Sequence, residues 1–160
     1  DYLKVKGLSK ANALKICAIF ELFRRINGLI SENEEKIDSE LIFKKYSLNF
    51  QNYDQELLGI IVLNRKKKLL SEKIVYKGTR TNLSASIREI FKELLLAGGT
   101  YFYIFHNHPS ENVKPSQQDI IFTSQLISEC NKYGFTLVDH LIISSSECYS
   151  FKESGIIFVK

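Results

Sequence analysis

Methionine and tryptophan are absent from these 160 residues, proline occurs twice and cysteine three times. The missing methionine, an initiator included, points to a piece of a longer natural chain. Cys17, Cys130 and Cys148 are odd in number, widely spaced and never in Cys-x-x-Cys pairs. That pattern suggests neither a disulfide framework nor a sulfur-ligated zinc site, and leaves reduced, buried thiols as the expectation. Long apolar runs are lacking too: Leu57–Leu63 and Tyr101–Phe105 fall far short of the roughly 20 residues that cross a bilayer. The first residues are mixed charged and small, unlike a signal peptide. A cytoplasmic protein with no membrane contact is therefore expected. Neither sign of charge dominates, with 22 Lys and Arg against 18 Asp and Glu and a net charge of +4, a mild balance that serves solubility as readily as nucleic-acid affinity. The densest cationic stretch, Arg65–Lys68, follows Asn64 between two apolar runs and has no interleaved aromatic residues to stack on bases. It reads as a solvated hairpin turn. No internal repeat is visible, and 44% hydrophobic with 25% charged residues is the profile of one globular domain with an appendage.

Both prolines, Pro109 and Pro115, bracket one loop, and that loop belongs to the stretch that organises the chain, TYFYIFHNHPSENVKPSQQD from Thr100 to Asp119. Thr100–Phe105 is a short, aromatic-rich apolar run bounded by Gly98-Gly99 and Pro109, which predicts a buried strand. Side chains two apart on a strand share a face, roughly 7 Å apart along the backbone, so His106 and His108 can converge while Asn107 points the other way. Pro109 stops the strand, a loop follows, and Ser116 opens a helix with Asp119 in its first turn. Two neutral imidazoles and one carboxylate, His106, His108 and Asp119, are a three-ligand set for zinc that leaves a fourth tetrahedral position open for water. Other readings exist for each piece. Ser116 and Asp119 also have the spacing of a capping box, which alone explains both. Histidines at a strand end are often only hydrogen-bonded or exposed. The metal reading rests on all the pieces arriving in one short stretch.

Along the rest of the chain, residues 1–30 form a small helical unit with apolar positions at Leu14, Cys17, Ala18, Leu22 and Ile26, the spacing of one buried face. Ser31–Lys36 is a polar, acidic linker. Asp38–Tyr46 is a short helix with Leu41, Ile42 and Tyr46 inward. Leu57–Leu63 and Leu69–Tyr76 form an antiparallel hairpin. Ser84–Ala97 is an amphipathic helix using Ile87, Ile90, Phe91, Leu94 and Leu95, ended by Gly98-Gly99, and its Glu89 and Glu93 read as a solvated face. After Ser116, a second long helix runs to Gly134. Phe135–Ser144 is a further core strand, with short closing strands at Tyr149–Phe151 and Ile156–Val159. An α/β (α+β) sandwich with a mixed, largely antiparallel sheet flanked by helices is predicted. His140, beside Asp139 in an apolar strand, reads as part of a buried hydrogen-bonding pair or a support to the metal ligands rather than a ligand.

The string His106-Asn107-His108-Pro109-Ser110 followed by Pro115-Ser116-x-x-Asp119 resembles the JAMM signature of the JAB/MPN metalloprotease fold, in particular its RadC-type branch. The likeness extends to Glu56, Gly78-Thr79, Arg88-Glu89, Asp139-His140-Leu141-Ile142-Ile143, and Ser150-Phe151 with Glu153 and Gly155, over roughly residues 50–157. Two positions depart from the family's pattern: Glu111 stands where it usually has glycine, and Ile87 where it has proline. The resemblance implies a cytidine-deaminase-like sandwich for residues 48–160, preceded by a partial helix-hairpin-helix-like segment and linker over residues 1–47. The turn Gly7-Leu8-Ser9 is similar to the hairpin of that DNA-binding module, although a packing helix explains it equally well. It further implies a metallohydrolase cleaving an amide or isopeptide bond, with one zinc ion per chain held by His106, His108 and Asp119. Glu56 matches the family's general base and Ser116 its oxyanion donor, with Asp139 and His140 behind the ligands. A solvated strand end is the other reading of Glu56. The expected partner is a protein or peptide substrate, with DNA and a second copy of the chain as further candidates. Because the RadC-type branch carries a DNA-repair label, the alternative is a DNA-associated repair or recombination accessory protein with a structural or vestigial metal site.

Overall fold

A computed structural model describes residues 37–50, 54–78 and 83–157, with positions 9, 11, 12, 14, 15, 18, 19 and 22 ahead of them. The chain divides into two compact units, Asp1–Glu35 and Lys36–Lys160. In the first, the described positions from 11 to 22 are helical, and Ser9 caps them by accepting the Asn12 N–H at 3.2 Å. Leu14 and Leu22 are 57% and 60% exposed, and Ala18 is exposed as well, so the buried face expected there does not form at those positions. Cys17, Ile26 and the turn residues Gly7 and Leu8 lie outside the described residues.

The second unit begins at Lys36, ahead of the 47/48 boundary that the sequence suggests, because the first helix belongs to its core. Asp38 Oδ1 accepts the Leu41 N–H at 3.0 Å and starts α1 (Ser39–Phe50), whose Ile42, Tyr46 and Phe50 are buried. The remaining elements are β1 (Leu57–Leu63), β2 (Leu69–Lys77), α2 (Leu83–Ala97), β3 (Tyr101–His106), α3 (Gln117–Tyr133), β4 (Thr136–Ile143) and β5 (Cys148–Ser150). They build one sheet in the order β2-β1-β3-β4-β5. Only β3 and β4 are parallel, because α3 carries the chain back between them; the other three pairings are antiparallel. The basic stretch is the β1–β2 turn, in which Asn64 Oδ1 accepts the N–H groups of Lys66 and Lys68 at 2.8 and 3.0 Å.

Both faces of β1 are covered, whereas the edge strand β2 stays largely exposed. Alternation along β1 sends Leu58, Ile60 and Val62 into a core with Ile90 and Leu94 of α2 and Phe122 and Leu126 of α3. Leu57, Ile61 and Leu63 pack instead with Ile42, Tyr46 and Phe50 of α1. Burial on both faces is why β1 reads as a continuous apolar run rather than an alternating one.

Gly59 lies opposite Phe105 on β3, and the aromatic ring sits where a side chain would start: an added Cβ would stand 2.1 Å from Phe105 Cζ. Phe105 is fully buried and flanked by the Tyr46 and Phe50 rings, so it has no space to withdraw into. Gly59→Ala is therefore expected to cost about 1–3 kcal/mol, the usual penalty for overpacking a core. Urea unfolding checks this, and an unchanged midpoint would show that Phe105 yields freely.

Several local expectations change. Glu93 is buried, not solvated: its carboxylate accepts from Ser71 Oγ at 2.6 Å and Lys73 Nζ at 3.0 Å, and the Ser71 hydrogen bond, followed by that from Lys73, holds its pKa below the ordinary carboxylate value. Leu95 is 70% exposed. Cys130 is buried but Cys148 is exposed. Of the closing strand expected over Ile156–Val159, Ile156 and Ile157 are not a strand, since both of their N–H groups turn back to the Phe151 carbonyl at 2.9 and 3.1 Å; Phe158 and Val159 lie outside the described residues.

Candidate metal centre

The antiparallel register of β1 and β3 sets Leu58 against His106. Continued by two residues, it brings Glu56, just ahead of β1, level with His108, just past β3. The start of α3 adds Asp119, and the four side chains each offer a ligand atom within 4.8 Å of the others. His106 Nε2 and His108 Nε2 are 3.1 Å apart. The Asp119 carboxylate closes the triangle, Oδ1 at 3.3 Å from His106 Nε2 and Oδ2 at 3.3 Å from His108 Nε2. Ligands at about 2.0–2.1 Å from a tetrahedral zinc stand about 3.3 Å from one another, so these three donors have the spacing of one face of such a site.

The imidazoles are oriented from behind. His108 Nδ1 is 2.6 Å from the Asn112 carbonyl, an acceptor only, so Nδ1 carries the proton and Nε2 turns its lone pair inward. The Asp119 carboxylate, and after it the Asn112 carbonyl and the charge of Glu56, raise the pKa of His108 against the opposing effect of burial. The anionic surroundings thus favour a cation at this position. His106 is fully buried, and its Nδ1 lies 2.8 Å from His140 Nε2.

Asp119 also serves as the capping partner. Its Oδ2 accepts from the Ser116 N–H at 2.8 Å and the Ser116 hydroxyl at 2.6 Å, while its own N–H donates to Ser116 Oγ at 3.2 Å. Capping and facing the imidazoles are compatible because a carboxylate has lone pairs enough for both. The Ser116 hydroxyl proton is thereby directed at Asp119.

Asp139 and His140 part company. Phe102 pairs with Leu137 but Tyr103 with Asp139, so Val138 is an extra residue, and a bulge of this kind re-aims the side chains beyond it. His140 faces α3 and Phe151, on the side of His106. Asp139 faces α1, where Oδ2 accepts from Ser39 and Ser150 hydroxyls at 2.9 and 2.6 Å and Oδ1 from the Lys152 N–H at 3.0 Å. It ties α1, β4 and the turn after β5 together, on the other side of the sheet from the His106, His108 and Asp119 donors.

Two residues were not singled out by their sequence context. Asn107, between the histidines, is 2% exposed; its Oδ1 accepts the Leu57 N–H at 2.8 Å and its Nδ2 donates to the Gln55 carbonyl at 3.2 Å. It thus grips the backbone on both sides of Glu56, whose own carbonyl accepts from the Gly78 N–H at 2.9 Å. Thr123 lies four residues after Asp119, on the same helix face, and that spacing was the available signal. Its hydroxyl reaches both the Asp119 carbonyl and His140 Nδ1.

The loop over the site accounts for the glutamate that stands at position 111 in place of glycine. Glu111 has φ +59°, the left-handed region where glycine is at ease. Its carboxylate accepts from the Ser145 N–H and hydroxyl, each at 2.8 Å, and these bonds, the backbone one foremost, lower its pKa.

The chain is similar to known proteins over most of its length. The family model of the RadC-like JAB domain matches residues 37–156. A UPF0758 protein of Streptococcus suis (strain 98HAH33) is 34% identical over 155 residues, 96% of this chain and 63% of that protein. A UPF0758 protein of Clostridium beijerinckii is 36% identical over 160 residues, 98% of this chain and 69% of its own length. The chain thus spans about two thirds of the relatives it matches.

Proposed function

The chain belongs to the RadC-like JAB domain family, and from that premise we propose that it is a zinc-dependent hydrolase that cleaves an amide or isopeptide bond in a protein or peptide of the cytoplasm. The observation that carries this reading is the triangle of His106, His108 and Asp119 donors, 3.1–3.3 Å on its edges, with the Glu56 carboxylate held beside it.

His106, His108 and Asp119 would hold the zinc, which when bound would supply a Lewis acid that makes water a usable nucleophile near neutral pH. Glu56, its backbone gripped by Asn107 and Gly78, takes the proton from the attacking water and returns it to the leaving nitrogen. Ser116 donates its hydroxyl to the oxyanion, which requires the proton to swing from Asp119 Oδ2, where it now points. Such a donor is worth most where charge develops.

Metal analysis of protein purified without added metal should find about one zinc per chain, and His106→Ala should remove it. Iron in place of zinc would overturn the metal assignment. Full zinc in a folded His106→Ala protein would overturn the site.

A further inference from the structure

We infer that Thr123 and His140 are positioning residues that fix the tautomer of His106, so that its Nε2 is left unprotonated toward the metal position. The role rests on the zinc reading of the site, but the hydrogen-bond logic does not. Thr123 Oγ1 is 2.6 Å from the Asp119 carbonyl oxygen and 2.7 Å from His140 Nδ1. A hydroxyl has one proton, and a carbonyl can only accept. Were that proton given to His140, two lone-pair-bearing oxygens would face each other at 2.6 Å in a fully buried place. The proton therefore goes to the Asp119 carbonyl, and Thr123 Oγ1 must accept from His140 Nδ1–H.

The same logic passes to the next ring. In neutral His140 a protonated Nδ1 leaves Nε2 as an acceptor, and Nε2 lies 2.8 Å from His106 Nδ1. His106 Nδ1 is then the donor and His106 Nε2 the lone pair. The chain runs one way, from His106 through His140 and Thr123 to the main chain of Asp119, itself in the ligand triangle. Metal-binding histidines commonly donate their second N–H to a carboxylate or carbonyl; here a neutral imidazole takes that place and adds no charge to the site. All three side chains are fully buried, so water does not compete for these bonds.

Long-range proton–nitrogen spectra of metal-free, nitrogen-labelled protein test the assignment directly, recorded about two units above the ordinary imidazole pKa of about 6.5. His106 and His140 should both appear as Nδ1–H tautomers; a protonated Nε2 on His140 would overturn the inference whether or not the protein binds zinc. Zinc affinity, measured by competition with a chromophoric chelator, tests the consequence. Thr123→Val keeps the shape and loses the hydroxyl, and should bind zinc roughly 10–100-fold more weakly, the usual effect of losing such a support. Thr123→Ser restores the hydroxyl and should bind like the parent. Parent affinity in Thr123→Val, or equal loss in both variants, would overturn the role. A parent protein that fails to bind zinc would instead sink the metal reading.

Discussion

Glu56→Gln should give a folded, zinc-loaded protein whose turnover of an amide substrate falls by roughly 10²- to 10⁴-fold, the usual worth of a general base. Glutamine keeps the shape of the side chain and removes its ability to take a proton. The backbone around residue 56 is held by the Asn107 carboxamide and the Gly78 N–H, contacts that do not involve the substituted side chain, so the loss would reflect chemistry. Ser116→Ala should be milder, roughly 10²- to 10³-fold, the typical cost of one oxyanion donor. It also deletes the hydroxyl that caps α3, so its stability should fall while that of Glu56→Gln should not. Zinc content, circular dichroism and single-turnover kinetics on each variant separate these effects. Turnover of Glu56→Gln at the parent rate would reduce Glu56 to a solvated strand end.

Asp119→Asn should weaken zinc binding far more than it weakens the fold. As a cap partner Asp119 contributes about 1 kcal/mol or less, and asparagine retains an oxygen that can still accept from the Ser116 N–H. As a ligand it supplies the only carboxylate among the three donors spaced as a zinc face. Without its charge the metal loses its anionic partner, and the raised pKa of His108, which depends first on Asp119, should drop. A zinc titration beside a urea titration tells the outcomes apart. Unchanged zinc affinity with a slightly lowered unfolding midpoint would leave Asp119 as a helix cap only.

The largest part of this site was legible because it is local. A strand ending at a proline, a loop closed by a second proline and a helix opened by Ser116 are set by backbone dihedral restrictions and one capping box, all within Thr100–Asp119. Those short-range rules alone bring His106, His108 and Asp119 to one place. The order of strands and helices was equally readable from the apolar runs and their periods, although the buried face missed at Leu95, which is exposed, and the closing strand expected at Ile156 gave way to a turn onto the Phe151 carbonyl.

The surroundings of the candidate donors were settled by tertiary structure. Glu56 joins the site only through the β1–β3 register, which a linear pattern does not contain. Asn107 appears in sequence as a side chain turned away, and its work on the Glu56 backbone exists only because β1 begins beside it. Glu93 looks solvated on its own helix, yet β2 supplies Ser71 and Lys73 to bury it. Asp139 and His140 are neighbours in sequence, but the extra residue at Val138 sets which of them faces His106 and which faces α1. A one-residue slip in register exchanges every side chain between the two faces of a strand; its place is chosen by packing across the sheet, among residues far apart in the chain.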